Sequence, residues 1–335
     1  MKLIITGDLH SRKDDLYSEF AISYLEFLFE YAKKSKIDTI VFDGDIFDKS
    51  TRIHNETFIP VFKLLYENKD NFRFYFILGN HDIYSIDNDS IVETFAPIGP
   101  VIKENQLFEI GGIKIDMLAY TKNTSDLIYS EKTGGDILIT HLAIANFSFD
   151  NSYHVNEKIA FTPDLFSGYR KVFSGHFHKF QENKNIVYVG SPFQQNFGET
   201  GEEKGFVVLE TDDLSWTFEK YKFGPVYKKE NIEDLLTKEY PSKYFYNTFL
   251  QVEIKQKVDN FVKLKHVLYE RGVIKIVPKF IKEEVGINHE DGKDVEINQS
   301  LENMVVSFIK EKVSEEGIDN EKLIKIFSTA YKNTL

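Results

Sequence analysis

The chain has no cysteine. That absence rules out disulfides, thiolate-bound zinc and cysteine nucleophiles, so a transition-metal site here must use His, Asp, Glu or Asn. Positive charge is scarce too: 41 Lys and Arg stand against 53 Asp and Glu, a net charge of −12 over 335 residues. Such a surface repels phosphate on average, which argues against a nonspecific nucleic-acid coat but leaves local patches open. No apolar run approaches the length of a membrane span. The apolar stretch in Met1-Lys2-Leu3-Ile4-Ile5 is too short for a signal peptide. The expectation is a soluble, cytoplasmic protein. Its 42 % apolar content suffices for one large domain with one or two small ones.

What the chain does have is a series of short strings rich in possible metal ligands, each closing a predicted strand. Leu3-Ile4-Ile5 runs into Gly7-Asp8-Leu9-His10, and residues 37–42 run into Asp43-Gly44-Asp45-Ile46-Phe47-Asp48. Residues 72–78 run into Gly79-Asn80-His81-Asp82, and residues 136–139 into Thr140-His141. Residues 171–174 run into Gly175-His176-Phe177-His178. Ligands at i and i+2 of an extended segment point the same way and can reach one small volume. One such string alone is ordinary turn chemistry or a pair of surface histidines. Five of them at five strand ends point to a site held by a rigid scaffold. Apolar residues at helical spacing predict helices over 14–35 and 55–68, with a helical stretch near 90–95. The early alternation of strand and helix, followed by a strand-rich part, predicts an α/β fold with two sheets face to face and helices outside.

Asp8, His10, Asp45, Asn80, His141, His176 and His178 offer seven nitrogen or oxygen donors, too many for one ion and suited to two that share a ligand. Asp45 is the expected bridge, since a carboxylate has two oxygens. Two divalent metals suit phosphate-ester hydrolysis, because they activate water and neutralise charge in the transition state. His81 is assigned to protonating the leaving oxygen or stabilising the transition state, with Asp48 as the partner of its other nitrogen. His54, His154, His266 and His289 lack ligand neighbours and read as surface residues.

The strings D-L-H, G-D-I-F-D, G-N-H-D, T-H and G-H-F-H resemble the calcineurin-like metallophosphoesterases over about residues 3–190. The resemblance implies a two-sheet sandwich flanked by helices. It places one metal on Asp8, His10, Asp45 and His178, and the other on Asp45, Asn80, His141 and His176. It also implies a catalytic pair in His81 and Asp48. Asp48 is followed by Lys49-Ser50 rather than the Arg-Gly of the serine/threonine phosphatases. With Tyr188-Val189-Gly190-Ser191-Pro192, the pattern looks like the SbcD branch, as a phage recombination endonuclease subunit or a compact bacterial SbcD. That branch implies a manganese-dependent nuclease (magnesium being the alternative) that cuts duplex ends, single strands and hairpins. It would act with an SbcC-type coiled-coil ATPase in double-strand-break processing and recombination. A homodimer within a heterotetramer is implied as well. The competing readings are a phosphodiesterase for small phosphodiesters and a non-catalytic scaffold.

The expected nuclease domain spans 1–222, and a β-α-β capping domain spans 223–283. The latter carries Lys255, Lys257, Lys263, Lys265, Arg271, Lys275, Lys279 and Lys282 against only Asp259 and Glu270 between 255 and 282, a basic patch able to contact DNA. A linker over 284–298 leads to two amphipathic helices in 299–335. Leu301, Val305, Phe308 and Ile309 mark one apolar face, and Leu323, Phe327 and Tyr331 mark the other. The resemblance makes this pair the grip on the ATPase partner.

Overall fold

The computed structural model describes residues 1–85, 87–123, 134–148, 160–255, 261–281 and 324–325. The chain divides into two units, residues 1–282 and 283–335. Of the second, only a helical Ile324 and Lys325 fall within the described residues. The linker and Leu301, Val305, Phe308, Ile309, Leu323, Phe327 and Tyr331 lie outside them, as do His154, His289, Lys257 and Lys282.

The first unit is built on two six-stranded sheets. Strands β1 (Lys2–Thr6), β2 (Thr39–Phe42), β3 (Arg73–Ile77) and β4 (Val101–Ile102) run parallel. β11 (Gly205–Glu210) and β12 (Trp216–Lys220) add antiparallel on the β1 side. The second sheet has the order β5 (Gln106–Ile110), β6 (Ile113–Leu118), β7 (Ile137–His141), β8 (Lys171–Gly175), β10 (Ile186–Tyr188) and β9 (Gln181–Asn183). Its β6, β7, β8 and β10 are parallel. Ile5, Val41, Ile77 and Val207 of the first sheet share one apolar layer with Ile115, Ile139, Phe173 and Val187 of the second. Period-two alternation sends the other face of each strand to a different layer. Thus Phe42, Phe74 and Phe76 meet the helices.

Helix α1 (Tyr17–Ser35) buries Tyr17, Phe20, Ala21, Tyr24, Leu25, Leu28, Phe29 and Ala32, a stripe at three- and four-residue spacing against the first sheet. Each of its large side chains contributes about 1.5–3 kcal/mol by burial. The helix ends where Lys36 turns left-handed (φ 56°) and Ile37 N–H returns to the Ala32 carbonyl at 2.9 Å. Helix α2 (Asn55–Glu67) tolerates Pro60 in its second turn. A proline there has no N–H for the Glu56 carbonyl. Ser18 of α1 donates its hydroxyl to that oxygen instead, at 3.2 Å. The stretch near residue 90 is a 3₁₀ turn, Ile91–Phe95, closed by a Ser90–Glu93 capping box.

Beyond β12 lies a three-stranded parallel sheet, β13 (Val226–Asn231), β14 (Thr248–Ile254) and β15 (Val273–Phe280), crossed by α3 (Ile232–Thr237) and α4 (Phe261–Glu270). The expected β-α-β unit is present, with β13 as an additional edge strand. Leu250, Val252, Ile254 and Ile276 face α4 and its Leu268. Tyr227 and Phe249 stack on the opposite face, 4.9 Å between ring centroids, and join the core of α1 and Phe193. Tyr17 and Tyr227 also meet hydroxyl to hydroxyl.

Candidate metal centre

All five strand ends converge at the carboxyl edges of parallel strands, where an α/β sheet opens its crevice. β1 delivers Asp8 and His10, β2 delivers Asp45 and Asp48, and β3 delivers Asn80 and His81. His141 ends β7, and His176 and His178 follow β8. The turns are tight. Asp8, His10, Asp45 and His176 all take positive φ, between 43° and 90°. Non-glycine residues held there cost about 1–3 kcal/mol each and cluster at functional sites. Gly44 (φ 115°) lets the His141 ring come close, since a Cβ on it would lie 2.3 Å from His141 Nδ1.

The expected donors stand in two overlapping groups. In one, His10 Nε2 lies 3.8 Å from Asp8 Oδ1, 3.5 Å from Asp45 Oδ2 and 3.0 Å from His178 Nε2. In the other, His141 Nε2 lies 3.2 Å from Asp45 Oδ2 and 3.1 Å from Asn80 Oδ1. The Asn80 oxygen is also 2.6 Å from His176 Nδ1. Asp45 belongs to both groups through one oxygen, Oδ2. Its other oxygen accepts the His81 backbone N–H at 2.7 Å. The sequence led to the expectation of two oxygens, one per ion, and the structure commits one of them to the peptide.

Other residues fix the rings. His141 Nδ1 donates to the Asp43 carbonyl at 2.8 Å, which turns its Nε2 lone pair inward. His178 Nδ1 donates to Glu199 Oε1 at 2.9 Å, and Glu199 pairs in turn with Lys204 at 2.8 Å. A carboxylate behind an imidazole sets its tautomer and raises its basicity. The Asp82 carboxylate accepts the N–H groups of Asp45, Ile46 and Gly79, binding the second and third loops together. Gln195 donates to the Asp8 carbonyl at 2.7 Å. No spacing rule pointed to Glu199, Lys204, Asp82 or Gln195. Asp82 was within a motif, and Glu199 sits seven residues beyond the last one noted.

Electrostatics follow from burial. Burial opposes the charge on Asp45, yet His141 and then His10 and His81 outweigh it and hold the carboxyl below its usual range. Asp8 is held low as well: burial works against its charge, while the His10 hydrogen bond and the charges of His141 and His178 prevail. Burial would lower His141, but Asp45, Asp8 and Asp43 push it up to about 10. His176 falls to about 3, through burial and then the charge of His141. Burial, then Asp45, pushes Asp82 up to about 7. Asp43 is also raised well above its usual range, through burial and then Asp8, and neither of its carboxyl oxygens has a hydrogen-bond partner. The strongly negative field around Asp45 therefore draws a proton onto His141. A divalent cation answers the same field with more charge, and the oxygen and imidazole donors suit one. Three donor sets fit within 4.8 Å: Asp8, His10 and His178; Asp8, Asp45 and His141; and His10, Asp48 and His81.

The catalytic pair differs in detail from expectation. His81 Nδ1 lies 2.6 Å from the backbone carbonyl of Asp48, not from its carboxylate. The carboxylate turns to Arg12 at 3.6 Å and to His10 Nδ1 at 3.8 Å. A carbonyl accepts the Nδ1 proton as a carboxylate would, and it leaves His81 Nε2 for the substrate. The donors open into a cavity of about 210 Å³ walled by His81, His178, Asn196 and Arg12.

The sequence model of the calcineurin-like phosphoesterases matches residues 1–180, which hold every one of these strand ends. The chain belongs to the calcineurin-like phosphoesterase family. It is thus a metal-dependent hydrolase of phosphoesters. Exonuclease subunit 1 of Enterobacteria phage T4 is 24% identical over 230 residues, covering 67% of this phosphoesterase and 64% of the phage protein. The chain therefore spans less than two thirds of that relative. Among solved structures, a novel archaeal phosphodiesterase aligns over 66% of this chain and 100% of its own, with 15% identity and a TM-score of 0.37. A dimetal phosphatase from Danio rerio aligns over 62% and 91%, with 10% identity and a TM-score of 0.42. Scores that low say nothing about activity.

Among the described residues, the expected DNA-contacting cations of the phosphoesterase lie on more than one face. Arg271 is taken up by its own subdomain, donating to the Tyr240 carbonyl at 2.7 Å with its guanidinium 5.3 Å from the Phe245 ring. Lys279 pairs with Glu253 at 3.4 Å. Lys275 and Lys279 pair with Phe249 and Glu253, so strand alternation puts them on the sheet face away from α4. Lys263 and Lys265 ride on α4 itself, and Lys255 follows the end of β14. Linear charge density hid this split between two faces. His54 and His266 are exposed, as expected, and His266 pairs with Glu270. No described helix is long and apolar enough to cross a membrane.

Proposed function

We propose that the protein is a two-metal DNA nuclease of the SbcD type, working with manganese and an SbcC-type ATPase in double-strand-break processing and recombination. The observation that carries the reading is the meeting of two donor groups, through His10 and His141, at one shared Asp45 oxygen, with His81 beside them and a cavity of about 210 Å³ in front. The likeness to the phage exonuclease subunit supports a polynucleotide over a small ester as substrate. The subdomain of β13–β15 is assigned to capping bound DNA, and residues 299–335 to gripping the ATPase, within a heterotetramer of two nuclease and two ATPase chains.

Asp8, His10, Asp45 and His178 would hold one cation, and Asp45, Asn80, His141 and His176 the other. When bound, the pair lowers the pKa of water and neutralises phosphate charge. His81 does the proton work. Its Nδ1–H is held by the Asp48 carbonyl, so Nε2 faces the leaving oxygen. A water oxygen bonds to phosphorus and its surplus proton passes to solvent, the bond from phosphorus to the sugar oxygen breaks, and His81, entering as the imidazolium, gives that oxygen its Nε2 proton and regains one from solvent. Arg12 is braced over the Tyr17 ring at 3.5 Å and donates to Gln195 at 3.2 Å. It grips the nonbridging oxygens, the role that the missing Arg-Gly would have served.

The test is hydrolysis of end-labelled duplex DNA and of a chromogenic phosphodiester, with Mn²⁺, Mg²⁺ or chelator. Manganese-dependent cutting that Asp8→Ala abolishes supports the nuclease. Ester hydrolysis with intact DNA, even with the ATPase added, would overturn it in favour of a small-molecule phosphodiesterase.

A further inference from the structure

A second cavity, about 180 Å³, lies against the metal centre and shares Arg12 and Asp48 with it as a common wall. It is formed where the loop after β1 meets the loop that enters α2. Two hydroxyls on its lining have no hydrogen-bond partner, Ser11 Oγ and Thr57 Oγ1. Both residues are almost fully buried, 2% and 1% exposed. Buried hydroxyls without partners are uncommon, because each forgoes its hydrogen bonds to water. Around them stand Lys13, Lys49 and Arg52, besides Arg12. The chain enters α2 here, and no side chain caps that helix N-terminus. Asp14 also lines the cavity, and the Asp48 carboxylate is turned toward Arg12. In a chain of net charge −12, four cations, two unpaired hydroxyls and a helix N-terminus meet in one hollow. Hydroxyl donors, guanidinium and ammonium groups and an uncapped helix start are the recognition elements of a phosphate.

We propose that the Ser11–Thr57 cavity is a second phosphate site, which takes the backbone phosphate adjacent to the scissile one on a nucleic-acid strand. It rests on the nuclease reading for its substrate and adds a determinant of polymer over monomer. A small phosphodiester has one phosphate and fills the metal centre alone. A polynucleotide places its neighbouring phosphate across the Arg12 wall. Ser11 and Thr57 give it hydrogen bonds, and Arg52 and Lys49 give charge. The binding energy so gained lowers KM for strands and leaves small esters untouched.

The experiment uses the full chain and the variants Thr57→Val and Arg52→Glu, singly and together. Anisotropy of a short labelled single strand is measured in chelator, so that nothing is cut, over a range of salt. Hydrolysis of the chromogenic phosphodiester is measured with Mn²⁺. The double variant is expected to bind the strand about tenfold more weakly. Its slope of log affinity against log salt should be shallower by about 0.7 for the lost phosphate contact. Making the strand's linkages neutral methylphosphonates should weaken the wild-type chain more than the double variant. Small-ester kcat and KM should stay as in the wild type. Arg52 is exposed, so Arg52→Glu carries the test if Thr57→Val does not fold. Strand binding equal to wild type in the double variant overturns the site, as does a parallel loss of small-ester hydrolysis or a wild-type chain that binds no strand. A wild-type chain that binds strands through this cavity but never cuts them overturns the nuclease reading and leaves the site standing.

Discussion

Asp8, His10, Asp45 and Asn80 leave the first sheet, whereas His141, His176 and His178 leave the second, and the two groups are held by different means. The first group is fixed largely through the backbone. Asp8 N–H bonds to the Gly44 carbonyl, His10 N–H to the Asp45 carbonyl, and the Asp82 carboxylate gathers three N–H groups from two loops. The second group is fixed ring by ring, through the Asp43 carbonyl, Asn80 and Glu199. Apart from the Asp82 carboxylate, the backbone lattice leans on few side chains, whereas the His178 ring leans on the Glu199 carboxylate. The imidazole half should therefore be the more easily disturbed by changes outside the donors themselves.

The harshest way to break the comparison is to remove the one atom both halves share. Asp45→Ala deletes Oδ2 and leaves His141 buried without its main counter-charge. Unfolding of the chelated protein in urea should show a loss of about 3–5 kcal/mol, and calorimetric titration should show no tight Mn²⁺ step. Retention of one intact tight step would mean that Asp45 does not join the two halves. Next comes His81, the proposed proton donor. His81→Ala should lower kcat by about 10²–10⁴-fold while Mn²⁺ titration stays as in the wild type. Loss of metal binding would reassign His81 to the donor set.

Glu199→Gln sharpens the contrast, because Glu199 stands behind the His178 ring, though it also accepts the Gln195 N–H at 3.1 Å and pairs with Lys204. It should weaken metal binding by about 10–100-fold. It also has a pH signature. Burial opposes the Glu199 charge, but Lys204 and His178 lower its pKa to about 2 from an ordinary 4.5. The stabilisation is then complete above about pH 4.5 and fades as pH falls toward about 2. The stability gap between wild type and Glu199→Gln in chelator should be about 3 kcal/mol at pH 6 and should shrink by pH 3. A gap independent of pH would exclude the ion pair as its source. The smallest effect concerns the flanking sheet. On the proposed function, Lys275→Glu, on the face that presses on the phosphoesterase body, should cut DNA affinity and flatten its salt slope by about 0.9. Lys263→Glu on the α4 side should do less, and the reverse order would place DNA across the helix.

The donors of both halves are legible in the sequence, and the supports behind the imidazole half are not. Asp8, Asp45 and Asn80 are named by strings that are also the turns, so strand end, turn and donor coincide within a few residues. The two-sheet fold follows from the same punctuation. Glu199 is different: a carboxylate in a loop after β10 gains its role only when the chain folds it behind His178. The Asp48 contact with His81 was misplaced by a few ångströms, because spacing reports which residues meet and not which of their atoms. The eight cations looked like one patch because a charge count ignores the alternation that puts Lys275 and Lys263 on opposite faces. β13, Val-Tyr-Lys-Lys-Glu-Asn, is too polar to announce itself and is a strand because β14 gives it a ladder.

The single Asp45 oxygen common to both donor groups has a consequence for how the centre fills. Were Asp8, His10 and His178 to hold one cation and Asn80, His141 and His176 another, both would draw on that oxygen, and the first to arrive would weaken the seat of the second. Loading would then be a ladder with a lower and an upper rung, with a span of metal concentration between them in which the protein is half-charged.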